Sequence, residues 1–175
     1  MKKKAVFAGG CFWGMEDLFR TLAGVLDTEV GYSGGDLPSP EGANDGNNPT
    51  YENHPGYAEA LQVEYDDEKI SYRDLLDFFF QIHNPTTRNR QGNDIGDSYR
   101  SAIFYQNRKE KKEAEQFIQI VNDSGRWKDP VVTSLEPLTH FYRAEDYHQD
   151  YLVRNPGGYT CHTVYFDSYI NSNKK

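Results

Sequence analysis

Ala5-Val6-Phe7-Ala8-Gly9-Gly10-Cys11-Phe12-Trp13-Gly14-Met15-Glu16 is the stretch around which the chain is organised. A short apolar run reads as a buried strand, and two glycines interrupt it. A helical pattern follows at once, with Met15, Leu18, Phe19 and Leu22 recurring at helical spacing. The helix is therefore expected to open close to Trp13, which puts Cys11 at or just before its first turn. Unpaired backbone N–H groups and the positive end of the helix dipole gather there. Both favour thiolate over thiol, and the thiolate is the nucleophile. Phe12 and Trp13 lay two aromatic surfaces beside the sulfur. The competing reading is an inert core thiol, because free cysteine is among the most buried residue types. The strand–Gly–Gly–Cys–helix context alone leaves the two evenly matched. Lys2 to Lys4 ahead of small residues and a cysteine also suggest a lipoprotein cleavage site. The apolar stretch before Cys11 is too short for that, since a signal core needs about 7–15 residues.

Composition narrows the class. The 175 residues suit one domain spanning 1–175, with 155–175 expected as a flexible tail. Mean hydropathy is −0.84 and no long apolar run occurs, so a membrane span is not expected. The 13 Tyr, 10 Phe and 2 Trp argue for a packed core and against general disorder. A net charge of −8 argues against nucleic acid or anionic membrane as partners. Two cysteines are too few for a disulfide scaffold, and a cytoplasmic, reducing setting is expected, where such thiols are more often catalytic than structural.

After the first helix, with Gly24 as its C-cap, Val25 to Tyr32 reads as a strand. Ser33 to Pro49 is rich in Gly, Pro, Asn and Asp and reads as a long functional loop. Tyr57 to Tyr65 is the third strand, and Glu59 falls on the same face as Leu61, Val63 and Tyr65. Periodicity leaves two readings for this carboxylate. A solvated Glu at a strand end is the commoner one. A desolvated Glu would have a raised pKa and could act as a general acid. Ser71 with Asp74 forms a capping box for a helix that Asn84-Pro85 ends. Tyr99 to Tyr105 reads as a strand, Arg108 to Asn122 as a surface helix, Val131 to Leu135 as a strand and Ala144 to Arg154 as a last helix. Short strands mixed with helices predict an α/β (α+β) two-layer sandwich. His140, Asp146, His148 and Asp150 straddle a helix start without metal-ligand spacing and read as a solvated polar face. Cys161, in a glycine-containing segment with His162 beside it to help ionise it, is a candidate resolving thiol for a sulfenic acid. A spectator thiol is the alternative, because pairing needs Cα atoms within about 7 Å.

Gly10-Cys11-Phe12-Trp13-Gly14 with Glu16 resembles the signature of peptide methionine sulfoxide reductase, type A. The resemblance continues, in order, at Gly31-Tyr32-Ser33-Gly34-Gly35, Asn48-Pro49-Thr50-Tyr51, Gly56-Tyr57-Ala58-Glu59-Ala60, His83-Asn84-Pro85, Gln91-Gly92-Asn93-Asp94, Tyr99-Arg100-Ser101-Ala102-Ile103 and Ala144 to Gln149. It implies a fold related to ferredoxin-like plaits and reduction of the S epimer of methionine sulfoxide, free and in proteins. It further implies that Cys11 attacks the sulfoxide sulfur and becomes a sulfenic acid, and that Glu59 supplies the proton to the oxygen. Tyr51 and Tyr99 would aim hydroxyls at that oxygen, Asp94 would shape the polar side of the pocket, and Phe12 and Trp13 would cradle the S-methyl group. Cys161 would close a disulfide that thioredoxin reopens, with no metal or organic cofactor and a monomeric chain. Tyr57 stands where many members carry His, and Thr160 displaces Cys161 by one residue from the usual Gly-Tyr-Cys. A thiol peroxidase, or a non-catalytic binder of oxidised-methionine peptides, is the rival reading.

Overall fold

The computed structural model describes residues 1–35 and 48–171, so the expected loop Asp36 to Asn47 lies outside the described residues. β1 (Lys2–Gly9) runs through the middle of a six-stranded sheet of order β7-β6-β1-β3-β2-β8. β2 (Val25–Ser33) and β3 (Ala58–Asp66) follow, and a two-residue ladder joins β4 (Arg90–Gln91) to β5 (Asp94–Ile95) outside that sheet. β6 (Ser101–Tyr105), β7 (Ser134–Pro137) and β8 (Phe141–Arg143) complete it. All its pairings are antiparallel except β6 with β7.

Alternation in the strands makes two unequal faces. Ala5, Phe7, Leu61, Val63 and Ile103 face the helices α1 (Phe12–Phe19), α2 (Tyr72–Gln81) and α3 (Arg108–Asp123), building the main core. Val6, Ala8, Ala58, Ala60, Ala102 and Phe104 face the other way, beneath Leu138 and Phe141. This is the expected mixed α/β, two-layer arrangement. The Ser71–Asp74 capping box opens α2 as the sequence predicts, with the Asp74 N–H donating to Ser71 Oγ at 3.0 Å. On α3, Phe117 stacks on Phe80 of α2 at 5.7 Å between ring centres. Phe117→Ala is expected to cost about 3–5 kcal/mol of stability, read as a lower urea midpoint at unchanged slope.

Several local expectations are corrected. α1 ends at Phe19, not at Gly24. Its last turn tightens, with Thr21 N–H on Leu18 O at 3.2 Å and Leu22 N–H on Phe19 O at 3.2 Å. Gly24 instead takes a left-handed φ of +96° against Ile70, on the way into β2. The long helix expected over Ala144 to Arg154 is a 3₁₀ turn (Asp146–His148) and a single turn, α4 (Tyr151–Arg154), separated by Asp150 at φ +53°. Ties to β2 and α1 hold that backbone open. Gln149 grips the N–H and the C=O of Val30, each at 2.9 Å, and buried Glu16 accepts the Asp150 N–H at 2.7 Å. Tyr99 lies in a 3₁₀ turn (Asp97–Tyr99) ahead of β6, and the strand expected from Val131 begins at Ser134.

Beyond Arg154 the chain carries no further strand or helix up to residue 171, yet it touches the body repeatedly. Tyr165 N–H donates to Gln81 O at 2.8 Å, and Tyr169 N–H to Asp77 Oδ1 at 2.7 Å. Nearer the strand ends, His162 meets Gly9 O at 2.7 Å.

Candidate active site

The break after β1 positions the thiol. Gly10 takes φ +96°, and a Cβ there would sit 2.6 Å from the Gln91 side chain, so the turn requires glycine twice over. Gln91 is itself fixed, since its amide donates to Asn84 O and accepts from Asn84 N–H, both at 2.9 Å. The chain then turns so that Cys11 is the N-cap of α1, as the sequence predicts, with 6% of its surface exposed. One residue on, the Phe12 N–H donates to Glu59 Oε1 at 3.2 Å, joining the helix start to β3. Glu59 is 2% exposed, so the strand-end reading gives way to that of a buried acid.

Burial governs the protons here. It pushes the Glu59 carboxyl up to about 8, against the Phe12 N–H that favours the charged form. Glu59 is therefore mostly neutral at neutral pH. The Cys11 thiol is pushed up by burial and then by the Glu59 charge, and the Trp13 N–H offsets this only in part. In the substrate-free chain burial thus opposes the thiolate that the helix start favours. The dipole of an eight-residue helix does not outweigh loss of solvent around the sulfur.

Aromatic rings wall one side. Half-buried Trp13 stacks on Tyr151 at 3.8 Å, with Tyr51 at 6.5 Å, while Phe12 is buried against Tyr32 and the His148 ring. Tyr51 is 37% exposed, and its N–H donates to Glu145 Oε2 at 3.2 Å. Burial and then the Glu59 charge raise both the Tyr51 and Tyr99 phenols, which places the two hydroxyl groups in the field of that acid. Asp94, on β5, accepts from Tyr159 Oη at 3.3 Å and from Cys161 Sγ at 3.7 Å. Every candidate residue therefore gathers at one end of the sheet, with Asp94 beside the second thiol.

Sequence reasoning missed His148, Tyr32, Glu145 and His54. His148 is buried, and its Nδ1 accepts the Trp13 indole N–H at 3.0 Å. Its Nε2 then carries the ring proton, with Glu145 Oε2 at 3.9 Å. Glu145 also accepts from Tyr32 Oη at 3.1 Å, and Tyr32 stacks on His54 at 4.8 Å. Read as a helix, the 144–149 segment turned His148 to solvent, and only the helix break turns it inward.

A shielded thiol, a neutral acid beside it and a second thiol within the same field are groups that thiol-based redox chemistry uses. The class narrows on comparison with known proteins. The family model described as peptide methionine sulfoxide reductase matches residues 3–174, and the chain belongs to that family. The peptide methionine sulfoxide reductase MsrA of Leifsonia xyli is 54% identical over 162 residues, 93% of this chain and 90% of that protein. The crystal structure of Mxr1 from Saccharomyces cerevisiae in reduced form superposes with a TM-score of 0.82 at 38% identity, covering 93% of this chain and 92% of the other. Mxr1 in complex with Trx2 matches at 0.62 and 27% identity, over 93% and 89%. The chain is an oxidoreductase that reduces methionine sulfoxide.

Proposed function

We propose that the chain reduces the S epimer of methionine sulfoxide, free and in proteins, with Cys11 as nucleophile, Cys161 as resolving thiol and thioredoxin as reductant. The observation that carries this reading is Glu59, a neutral acid at 2% exposure held to the backbone one residue beyond Cys11. A sulfoxide is a poor electrophile until its oxygen accepts a proton. A neutral carboxyl can supply one where water cannot enter. Cys11 sulfur then attacks the sulfoxide sulfur, and its thiol proton restores the Glu59 carboxyl. The hydroxyl passes from the substrate sulfur to the Cys11 sulfur as the substrate's S–O bond and the transient S–S bond break, which leaves Cys11 as a sulfenic acid and releases methionine. Tyr51 and Tyr99 add hydroxyl donors to the same oxygen, and Phe12 and Trp13 give the S-methyl group an apolar wall. Asp94 orients the resolving thiol as well as the polar edge of the pocket. The chain works as a monomeric single domain in the cytoplasm; among the described residues, no helix is long and apolar enough to cross a membrane.

The Mxr1–Trx2 complex supports thioredoxin as the reductant. The test is turnover on resolved epimers with thioredoxin, its reductase and NADPH, for wild type and Cys161→Ser. Wild type is expected to consume the S epimer and leave the R epimer untouched. Cys161→Ser is expected to release about one methionine per chain and then stall. Equal use of both epimers, preference for hydrogen peroxide, or undiminished cycling by Cys161→Ser contradicts the reading.

A further inference from the structure

We propose that His162 is the general base for disulfide closure and the latch that seats Cys161 beside the nucleophile loop. This rests on Cys161 being the resolving thiol. His162 lies against the residues flanking Cys11. Its Nε2 meets Gly9 O at 2.7 Å, and a carbonyl only accepts, so Nε2 carries the ring proton. In the neutral ring Nδ1 then holds the lone pair, and Nδ1 lies 3.9 Å from Cys161 Sγ, whose one proton is also within reach of Asp94 Oδ2 at 3.7 Å. One hydrogen bond thus fixes both the position of the segment and the tautomer that faces the thiol.

The first turn of α1 is shaped to admit this ring. A Cβ at Gly14 would collide with His162 Nδ1 and with Thr160 Oγ1, so glycine there is what lets the imidazole reach the β1 end. Thr160 in turn accepts the His162 N–H on its Oγ1 at 3.1 Å. At 8% exposure His162 is hidden from solvent. The titratable groups that face it are Asp94 from β5, His83 beyond α2 and Cys161 on its own segment. Burial lowers its pKa, so the base form prevails at neutral pH. Cys161 needs a base, because burial and Asp94 push its thiol up to about 11.

The step balances without an outside reagent. Cys161 gives its proton to His162 Nδ1, and its sulfur attacks the Cys11 sulfenyl sulfur. The S–O bond breaks, and the leaving hydroxide takes the proton from His162 to become water. The products are the Cys11–Cys161 disulfide and one water.

His162→Gln separates the two roles, because the Gln amide can still donate to Gly9 O while offering no base. Stopped-flow loss of the second thiol after one pulse of methionine sulfoxide gives the readout. Near pH 7.5 the variant is expected to close its disulfide about 10²-fold more slowly, the lower end of general-base effects. The deficit should shrink as pH rises toward the Cys161 thiol range. A latch without a base predicts a deficit equal at every pH, and that result, or no deficit, overturns the base role. Wild type gives an independent check should the variant fold poorly. Its closure rate should be flat between about pH 7 and 9, and a rise of tenfold per pH unit there would contradict the proposal. Failure of the underlying reading looks different, since the second thiol would then never be lost in wild type.

Discussion

Cys11→Ser is expected to reduce methionine formation to background with any reductant, dithiothreitol included. Serine fills nearly the same space at the N-cap of α1, so melting should change little. The chemistry cannot follow. The reaction needs an atom that can accept the sulfoxide oxygen and give up two electrons, and a hydroxyl oxygen cannot. The environment makes matters worse for serine, because burial and Glu59 already hold the more acidic thiol in its neutral form. The same fact carries a consequence for the wild type. In the proposed mechanism a neutral resting thiol resists adventitious oxidation and becomes nucleophilic as the sulfoxide oxygen takes up the Glu59 proton. Single-turnover methionine release, measured by chromatography, checks the claim. Residual release above about 1% of wild type would place the nucleophile elsewhere.

Glu59→Gln is expected to slow the reductive step by about 10²–10⁴-fold while leaving the fold intact. Gln retains an acceptor for the Phe12 N–H, so the tie between α1 and β3 survives. The pH profile separates proton donation from geometry. With the carboxyl pushed up to about 8, the wild-type reductive step should fall as pH rises through that value, and the variant should lack this limb. Stability gives a second readout with a definite sign. A carboxyl whose folded pKa is raised binds more protons folded than unfolded between its ordinary value of 4.5 and about 8. Wild-type stability therefore declines across that window as pH rises. The variant carries no such penalty, so its melting temperature should gain on wild type from pH 5 to pH 9. A variant that reduces sulfoxide at near-wild-type rates, or a melting difference independent of pH, contradicts the buried-acid role.

Local sequence carries some of this site and leaves the rest hidden. The strand–Gly–Gly–Cys–helix break is visible because glycine before a periodic apolar stripe signals a boundary by itself, and Cys11 is the N-cap residue. Glu59 shares the phase of Leu61 and Val63, but phase alone does not say which strand positions lose solvent. What buries Glu59 is the packing of β3 between β1 and β2 beneath the start of α1. The state of the Cys11 thiol stays open in the sequence for a related reason, since a helix end is local whereas desolvation is tertiary. The 144–154 segment has helical periodicity, yet its Gln149 side chain is spent on the Val30 backbone and its Asp150 N–H on Glu16, each across more than a hundred residues. No window of local sequence contains those ties. β8 is three residues long and is defined by Tyr142 facing Tyr32, a pairing with little propensity signal of its own. Cys161 was legible as a second thiol. Its neighbours Asp94 and His162 became readable as a unit only once β5 and the C-terminal segment met.

The most direct test of the whole account counts free thiols lost per methionine formed, using reduced protein and excess methionine sulfoxide without any reductant. The account predicts two thiols lost for each methionine, with Cys11 and Cys161 recovered in one disulfide-linked peptide after proteolysis. A loss of one thiol per methionine, with Cys161 still free, would contradict it.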